Sequence, residues 1–245
     1  MNVVDSTAAG SVVSVNVGET RTVEWHGRQI ETAIWKSPVD RRVAVRGVNL
    51  DGDDQADRRV HGGPDKAVYA YAIEDYEWWA DALGHPLEPG SFGENLTVVG
   101  IDLSSSVIGT RWRVGSAVLR IAQPRLPCFK LGMRMSDASF VEEFELAGRF
   151  GAYLRILEEG DVGAGDSIEI EPAPVEEDAP VAQVAHLAQV AHEGITVREL
   201  GRAEHRAFPE IVARVLADPN VPDNWKQWAE RRRRRSETGP TSKRE

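Results

Sequence analysis

The sequence contains a single cysteine, Cys128, among 245 residues. One cysteine excludes a disulfide within the chain and a zinc site built from several cysteines, and it is typical of a protein of the reducing cytoplasm. The amino terminus lacks a basic start followed by an apolar run, so no signal peptide is predicted. No uncharged apolar run approaches the ~18 residues that a membrane span requires. We therefore expect a cytoplasmic protein without a membrane segment.

The sequence also lacks the positive charge of a nucleic-acid-binding protein. Its 29 Lys and Arg residues stand against 39 Asp and Glu residues, and the formal net charge is −10. Residues 230–245 hold seven of the basic and three of the acidic residues, which leaves residues 1–229 with 22 basic and 36 acidic residues. The body of the chain therefore carries a net charge of −14. Because a phosphate backbone repels such a body, we predict no nucleic-acid partner.

The first ~170 residues lack the alternation of strands and helices that a doubly wound sheet requires. Short apolar-alternating segments follow one another closely instead, separated by turns that contain glycine. Helices are predicted over residues 74–83, ended by Gly84, and from Ser136 or Asp137 to Leu146. Many short strands with two helices among them predict a mainly β fold, a β-barrel with appended helices.

The composition changes near residue 171, where Pro, Glu and Ala become frequent and a linker is predicted. The following segments have helical periodicity, and Thr196 and Glu199 match a capping box at a helix start. The arginine run over residues 231–235 predicts a solvated tail, or a docking segment for an acidic redox partner. The predicted organisation is a frayed N-terminus (1–10), a β-barrel domain (11–172), a linker (173–180), a helical domain (181–230) and a basic disordered tail (231–245).

The stretch Gln123–Lys130 presents the cysteine on a stiff backbone. Two prolines precede Cys128 and favour an extended conformation, and a basic residue lies on either side of the thiol. Neighbouring cations lower the pKa of a thiol, and the thiolate is the form that attacks electrophiles or binds metals. The alternative for a lone cysteine is a small buried apolar residue. A second stretch, Asn49–Lys66, is long, irregular and poor in apolar residues, which predicts a functional or disordered segment.

Several motifs of the chain resemble the MOSC domain, a family named for the C-terminal domain of molybdenum-cofactor sulfurase. The resemblance covers residues ~10–230 and is greatest to bacterial YiiM-like members, which add a small three-helix domain. It implies a MOSC β-barrel like the barrel of pyruvate kinase, followed by a small all-α three-helix domain. The motifs are Gly52–Asp57, His61–Ala67, Gly90–Leu96, Gln123–Lys130 and Gly148-Arg149.

The same resemblance implies a molybdenum–pterin cofactor (the molybdenum cofactor) and a detoxifying reductase of N-hydroxylated compounds. An example is reduction of 6-hydroxylaminopurine to the amine with release of water. An external donor of flavodoxin or reductase type would supply electrons, because we find no flavin, haem, iron–sulfur or nicotinamide motif. Two alternatives stay open: a carrier of the cofactor or of a persulfide, and a barrel that has lost its cofactor. A thiol hydrolase using Cys128 and His61 is chemically possible, but it would need an oxyanion hole, and we identify none in the sequence. The helical domain would recruit the donor or substrate, or form a homodimer.

The resemblance assigns the molybdenum ligand, and the chemistry of the motif residues suggests the rest of the site. Cys128 would be the protein ligand of molybdenum, beside the sulfurs of the cofactor. His61 is the hypothesised proton donor to the leaving oxygen, the alternative being a residue that caps its turn. Asn95 would orient the substrate or an oxo ligand, the alternative being a plain turn residue. Cations and backbone amides are expected to bind the cofactor's phosphate: Arg58, Gly62, Gly63, Lys66, Gly93, Arg125, Lys130 and Arg149.

Overall fold

The structure is a computed structural model that describes residues 8–58, 62–171, 194–203 and 209–237. Its strands are β1 (Ala8–Val17), β2 (Arg21–Trp25), β3 (Arg28–Thr32), β4 (Ser37–Pro38), β5 (Val43–Arg46), β6 (Asn49–Leu50), β7 (Val68–Ala72), β8 (Leu96–Val99), β9 (Arg111–Val114), β10 (Ala117–Pro124), β11 (Ala152–Glu158), β12 (Gly160–Val162) and β13 (Ser167–Glu171). Its helices are α1 (Ile73–Leu83), α2 (Phe129–Met135), α3 (Phe140–Ala147), α4 (Val197–Ala203), α5 (Pro209–Ala217) and α6 (Asp223–Glu237). A 3₁₀ turn covers Pro64–Lys66.

Seven strands close a barrel in the order β13-β9-β10-β11-β7-β8-β1, because β13 pairs back with β1. All of these pairs are antiparallel except β7 with β8, which are connected through α1 and run parallel. Side chains that alternate along the strands, such as Val15, Trp112 and Leu119, are fully buried. The predicted mainly β barrel with appended helices is therefore confirmed.

The two helices predicted within the barrel domain pack on its outside. Both α1 and α3 contribute to an aromatic cluster that contains Tyr71, Trp79 and Phe144. The indole Nε1 of Trp79 donates a hydrogen bond of 2.8 Å to the hydroxyl of Tyr71, so both of these buried polar groups have a partner within the cluster. The structure adds a short helix, α2, that follows Cys128 directly and that the sequence pattern does not predict.

The C-terminal helices share the apolar core of the barrel. Leu200, Val215 and Trp225 belong to the same buried cluster as the strand residues. The capping box at the start of α4 is confirmed, since Thr196 Oγ1 accepts from the amide of Glu199 and a Glu199 carboxylate oxygen accepts from the amide of Thr196. The predicted linker, residues 173–180, and the first part of the predicted helical domain, residues 181–193, lie outside the described residues.

The last helix continues beyond its predicted end. Residues 231–237, expected to be part of a disordered tail, are helical in α6. Arginine is a good helix former, and Glu230 lies one turn before Arg233, with which it forms an ion pair of 3.0 Å. Residues 238–245 lie outside the described residues. Within the described ranges, no helix has the length and apolar character needed to cross a bilayer.

Candidate functional site

Cys128 lies where a barrel strand passes into a helix. Strand β10 ends at Pro124, which still pairs with Ala152 of β11, and residues 125–128 continue without regular structure. Cys128 has extended backbone angles, φ −133° and ψ 171°, and α2 begins at the next residue. The stiff, non-helical presentation that the prolines predict is therefore observed. The thiol-bearing residue is half-buried and lines a pocket.

That pocket, which we call the Cys128 pocket, gathers residues from seven separate parts of the chain. Its wall is formed by the end of β3 with the segment after it, the irregular loop 53–57, the 3₁₀ turn, strand β7, the turn before β8, the Cys128 stretch and strand β11. Six of the residues predicted for the site converge there: Lys66, Gly93, Asn95, Arg125, Cys128 and Lys130.

The remaining predicted site residues are distributed differently. Arg58 lines an adjoining cavity, which shares Lys130 and loop residues 55–57 with the Cys128 pocket. Gly62 and Gly63 line a separate cleft on the other side of Lys66. The structure does not bring Arg149 to the Cys128 pocket, because its guanidinium pairs with Asp75 and lies 4.7 Å from the ring centroid of Trp78. His61 lies outside the described residues.

Arg125 carries a buried charge beside the thiol. Its side chain lies between the rings of Tyr69 and Phe144, with ring-centroid distances of 5.7 and 5.8 Å. Among the described residues, its buried Nη1 atom has no hydrogen-bond partner. Burial opposes the charge of Arg125, but the nearby Tyr69, Cys128 and Tyr153 outweigh burial and raise its pKa. The pocket wall therefore presents a permanent cation with unused hydrogen-bonding capacity.

A buried ion pair, Lys36–Asp53, also lines the Cys128 pocket and was not predicted from the sequence. The Lys36 side chain is 8% exposed and that of Asp53 is 1% exposed. Asp53 Oδ1 also accepts from the amide of Gly18 at 2.9 Å. Burial lowers the pKa of Lys36, although the attraction of Asp53 opposes that shift. Only Asp53 had a sequence signal, because it lies in the irregular segment Asn49–Lys66 that was predicted to be functional or disordered.

Asn95 holds this ion pair in place. Its Nδ2 donates to Asp53 Oδ2 at 3.0 Å, and its Oδ1 accepts from the amide of Tyr69 at 3.0 Å. Both ends of the amide are therefore used in contacts with the protein, and Asn95 is 4% exposed. These contacts give Asn95 a positioning role, since it connects β7 to the carboxylate that pairs with Lys36.

The turn that carries Asn95 is fixed by a buried carboxylate and a close backbone contact. Glu94 accepts hydrogen bonds from the hydroxyl of Tyr76 at 2.5 Å and the amide of Gly90 at 2.6 Å. Burial raises the pKa of Glu94, and these donors oppose the shift. Gly90 has φ +89°, and a Cβ there would lie 2.5 Å from the carbonyl oxygen of Lys36. Glycine is thus required for the turn to pack against the Lys36 segment.

Comparison with known proteins identifies the family of this chain. Residues 57–169 match the family model of the MOSC domain. The uncharacterized protein YflK of Bacillus subtilis is 35% identical over 218 residues, which cover 88% of this chain and 91% of YflK. The chain belongs to the MOSC domain family. This family comprises proteins related to molybdenum-cofactor sulfurases and reductases.

Two further relatives match this MOSC protein over shorter lengths. Protein YiiM of Escherichia coli is 33% identical over 142 residues, which cover 57% of this chain and 63% of YiiM. A protein named "Reductase" from Gibberella moniliformis is 32% identical over 155 residues, which cover 60% of this chain and 27% of that protein. The match to the fungal protein thus concerns about a quarter of its length.

Solved structures share the fold of this MOSC protein over nearly its whole length. YiiM from Geobacillus stearothermophilus superposes with a TM-score of 0.67 at 24% identity, covering 91% of this chain and 98% of that structure. YiiM from Escherichia coli gives a TM-score of 0.66 at 23% identity, with coverages of 96% and 98%. The barrel and the C-terminal helices are therefore features that this chain shares with the two YiiM structures.

Proposed function

We propose that this MOSC protein binds a molybdenum–pterin cofactor in the Cys128 pocket and reduces N-hydroxylated compounds. The observation that carries the proposal is a half-buried thiol in the same pocket as a buried guanidinium with an unpartnered nitrogen. A thiolate is a soft ligand that suits molybdenum, and arginine binds anionic oxygens through its planar fork. A sulfur-ligated, phosphate-bearing group fits both residues.

The Cys128 pocket and its adjoining cavity offer separate positions for the metal and for the phosphate end of such a cofactor. Cys128 would be the protein ligand of molybdenum, with Arg125 beside it. The adjoining cavity continues past Lys130 to Arg58, so these two cations would bind the phosphate end. Lys130 is already oriented, because its Nζ donates to the carbonyl oxygen of Glu31 at 2.8 Å. When bound, the cofactor supplies the two-electron redox chemistry that cleaves the N–O bond.

Two residues of the chain are candidates for proton delivery. Reduction of R–NHOH consumes two electrons and two protons and yields R–NH₂ and water. His61 stays a proposed donor to the leaving oxygen. Lys36 is the second candidate, because burial lowers its pKa and an ammonium in this state releases a proton more readily than a surface lysine. Asp53 and Asn95 would hold Lys36 in position for this step.

The reductase proposal implies an external electron donor of flavodoxin or reductase type and a small N-hydroxylated substrate such as 6-hydroxylaminopurine. The name of the fungal relative supports a reductase over its matched region. Protein purified from a host that makes the cofactor should contain molybdenum and should convert 6-hydroxylaminopurine to the amine with a chemical reductant. Bound molybdenum without amine formation would contradict the reductase and favour the carrier function.

Two arginines that were predicted to bind the phosphate of the cofactor allow a matched comparison of molybdenum content. Arg125→Met should lower the molybdenum content by about tenfold or more, because the variant removes a charge-assisted contact from the pocket. Arg149→Met should retain wild-type molybdenum content, because Arg149 contacts Asp75 and Trp78 instead. Metal analysis of both purified variants, with circular dichroism to verify folding, measures the difference. Equal molybdenum losses in the two variants would contradict the assigned role of Arg125.

A further inference from the structure

A second cleft lies between the barrel wall and the start of α6. It has a volume of about 420 Å³, which is within the usual range for small-molecule sites. The 3₁₀ turn separates it from the Cys128 pocket, and Lys66 lines both. The polar side chains that matter for its chemistry are Asp65, Arg120, Gln123, Arg155, Asp223 and Asn224.

Arginines stand directly opposite one another along this wall. In the strand register Arg120 of β10 pairs with Arg111 of β9 on one side and with Arg155 of β11 on the other. Like charges directly opposite each other destabilise a sheet. Burial lowers the pKa of Arg120, and repulsion from Arg155 and Arg111 lowers it further. Such a row is unexpected in a chain with a net charge of −10.

The acidic groups near this row neutralise Arg155 rather than Arg120. Arg155 Nε donates to Asp65 Oδ1 at 2.7 Å, and Asp223 adds a further attraction to Arg155. Asp65 also attracts Arg120, but that attraction is smaller than the repulsion from Arg155. The Nε atom of Arg120 is buried, and no group in the described part of the chain accepts its hydrogen bond. Arg120 is therefore a partly buried cation in the cleft whose buried N–H has no acceptor.

We propose that this cleft binds an anion of the phosphate class through Arg120 and Arg155. An arginine fork matches phosphate oxygens, and a bound anion would offset the repulsion between the strands. The volume admits free phosphate and the phosphate of a nucleotide, which share this chemistry. The site is independent of the Cys128 pocket, so its occupancy does not rest on the cofactor or on reductase activity.

The test uses the full-length protein with inorganic phosphate, AMP and adenosine as probes. Calorimetric titration should detect phosphate binding to the wild type, and phosphate should raise its thermal midpoint more than chloride at equal ionic strength. Arg120→Gln should weaken phosphate binding by about tenfold or more. Without phosphate, this variant should be as stable as the wild type or more stable, because it removes a repulsive charge. AMP binding more tightly than phosphate identifies a nucleotide site, and equal affinities identify a free-anion site.

Arg113 provides the matched control. It lies on the neighbouring strand β9 but pairs with Glu171, so Arg113→Gln should keep the full phosphate response. Arg120→Lys, which keeps the charge and loses the fork, should keep part of that response. The proposal is overturned if the wild type does not bind phosphate or if adenosine binds as tightly as AMP. It is also overturned if Arg120→Gln and Arg113→Gln bind phosphate with the same affinity.

Discussion

Replacing Cys128 with serine is expected to remove molybdenum from the purified protein and to abolish reduction of 6-hydroxylaminopurine. A hydroxyl stays protonated at neutral pH and is a hard donor, whereas molybdenum in a sulfur-rich shell favours a thiolate. Loss of residues that only support metal ligands costs about 10–100-fold in metal affinity, so loss of the ligand itself should cost at least about 100-fold. Metal analysis and the amine-formation assay, both on protein from the same host, measure the effect.

The serine variant should remain folded, because the side chains have similar size and Cys128 is half-buried. Its midpoint of thermal unfolding without cofactor should therefore match that of wild type without cofactor. This comparison separates loss of the ligand from loss of the fold. Equal molybdenum content and equal activity in the two proteins would show that Cys128 is neither the metal ligand nor required for the reaction.

Replacing Asp53 with alanine is expected to lower the free energy of unfolding by about 3–5 kcal/mol, because it leaves the buried ammonium of Lys36 without its counter-charge. The change also removes the acceptor of the Gly18 amide and of Asn95 Nδ2. Both losses are in the wall of the Cys128 pocket, so molybdenum retention should fall together with stability. Denaturant unfolding, monitored by tryptophan fluorescence, measures the free energy.

The adjacent residue supplies a matched control for Asp53. Asp54 is exposed and, among the described residues, its side chain accepts a hydrogen bond from the amide of Thr20 at 2.7 Å. Asp54→Ala should therefore cost only about 1 kcal/mol, the usual net value of one hydrogen bond. The double variant Lys36→Met with Asp53→Leu should recover most of the stability, since no unpaired buried charge remains. If Asp53→Ala and Asp54→Ala cost the same, the buried ion pair does not stabilise the fold.

Local sequence patterns predict most of the barrel domain. Short segments with alternating apolar residues predict the strands of the barrel, because a two-residue period buries one face of a strand. Glycine and proline mark the turns between them. Helix α2 was missed, since it has seven residues and follows two prolines, so its helical pattern is too short to stand out. Strand β12 is not predicted, because it has three residues, begins at Gly160 and is followed by Gly163, a composition typical of a turn.

The motifs of the chain predict six residues that meet in the Cys128 pocket. They do not predict the Lys36–Asp53 pair, because 16 residues lie between its members and a buried charge is recognised only by its surroundings. The motifs also do not show that Arg125 lines the pocket and Arg149 does not, because each is a basic residue next to a proline or glycine of a motif. Their different contacts arise from the sides of the fold on which they lie.

The sequence by itself determined the fold class, the family and the thiol that the chain presents. Each of these can be predicted from residues that are close together in the sequence. The signals are the spacing of apolar residues, the glycines and prolines of turns, and motifs of a few residues. Only the tertiary structure decided which charges share a cavity, which are paired and which remain unpartnered. Burial and electrostatic energy depend on distances between groups that are remote along the chain, and closure of the barrel sets those distances.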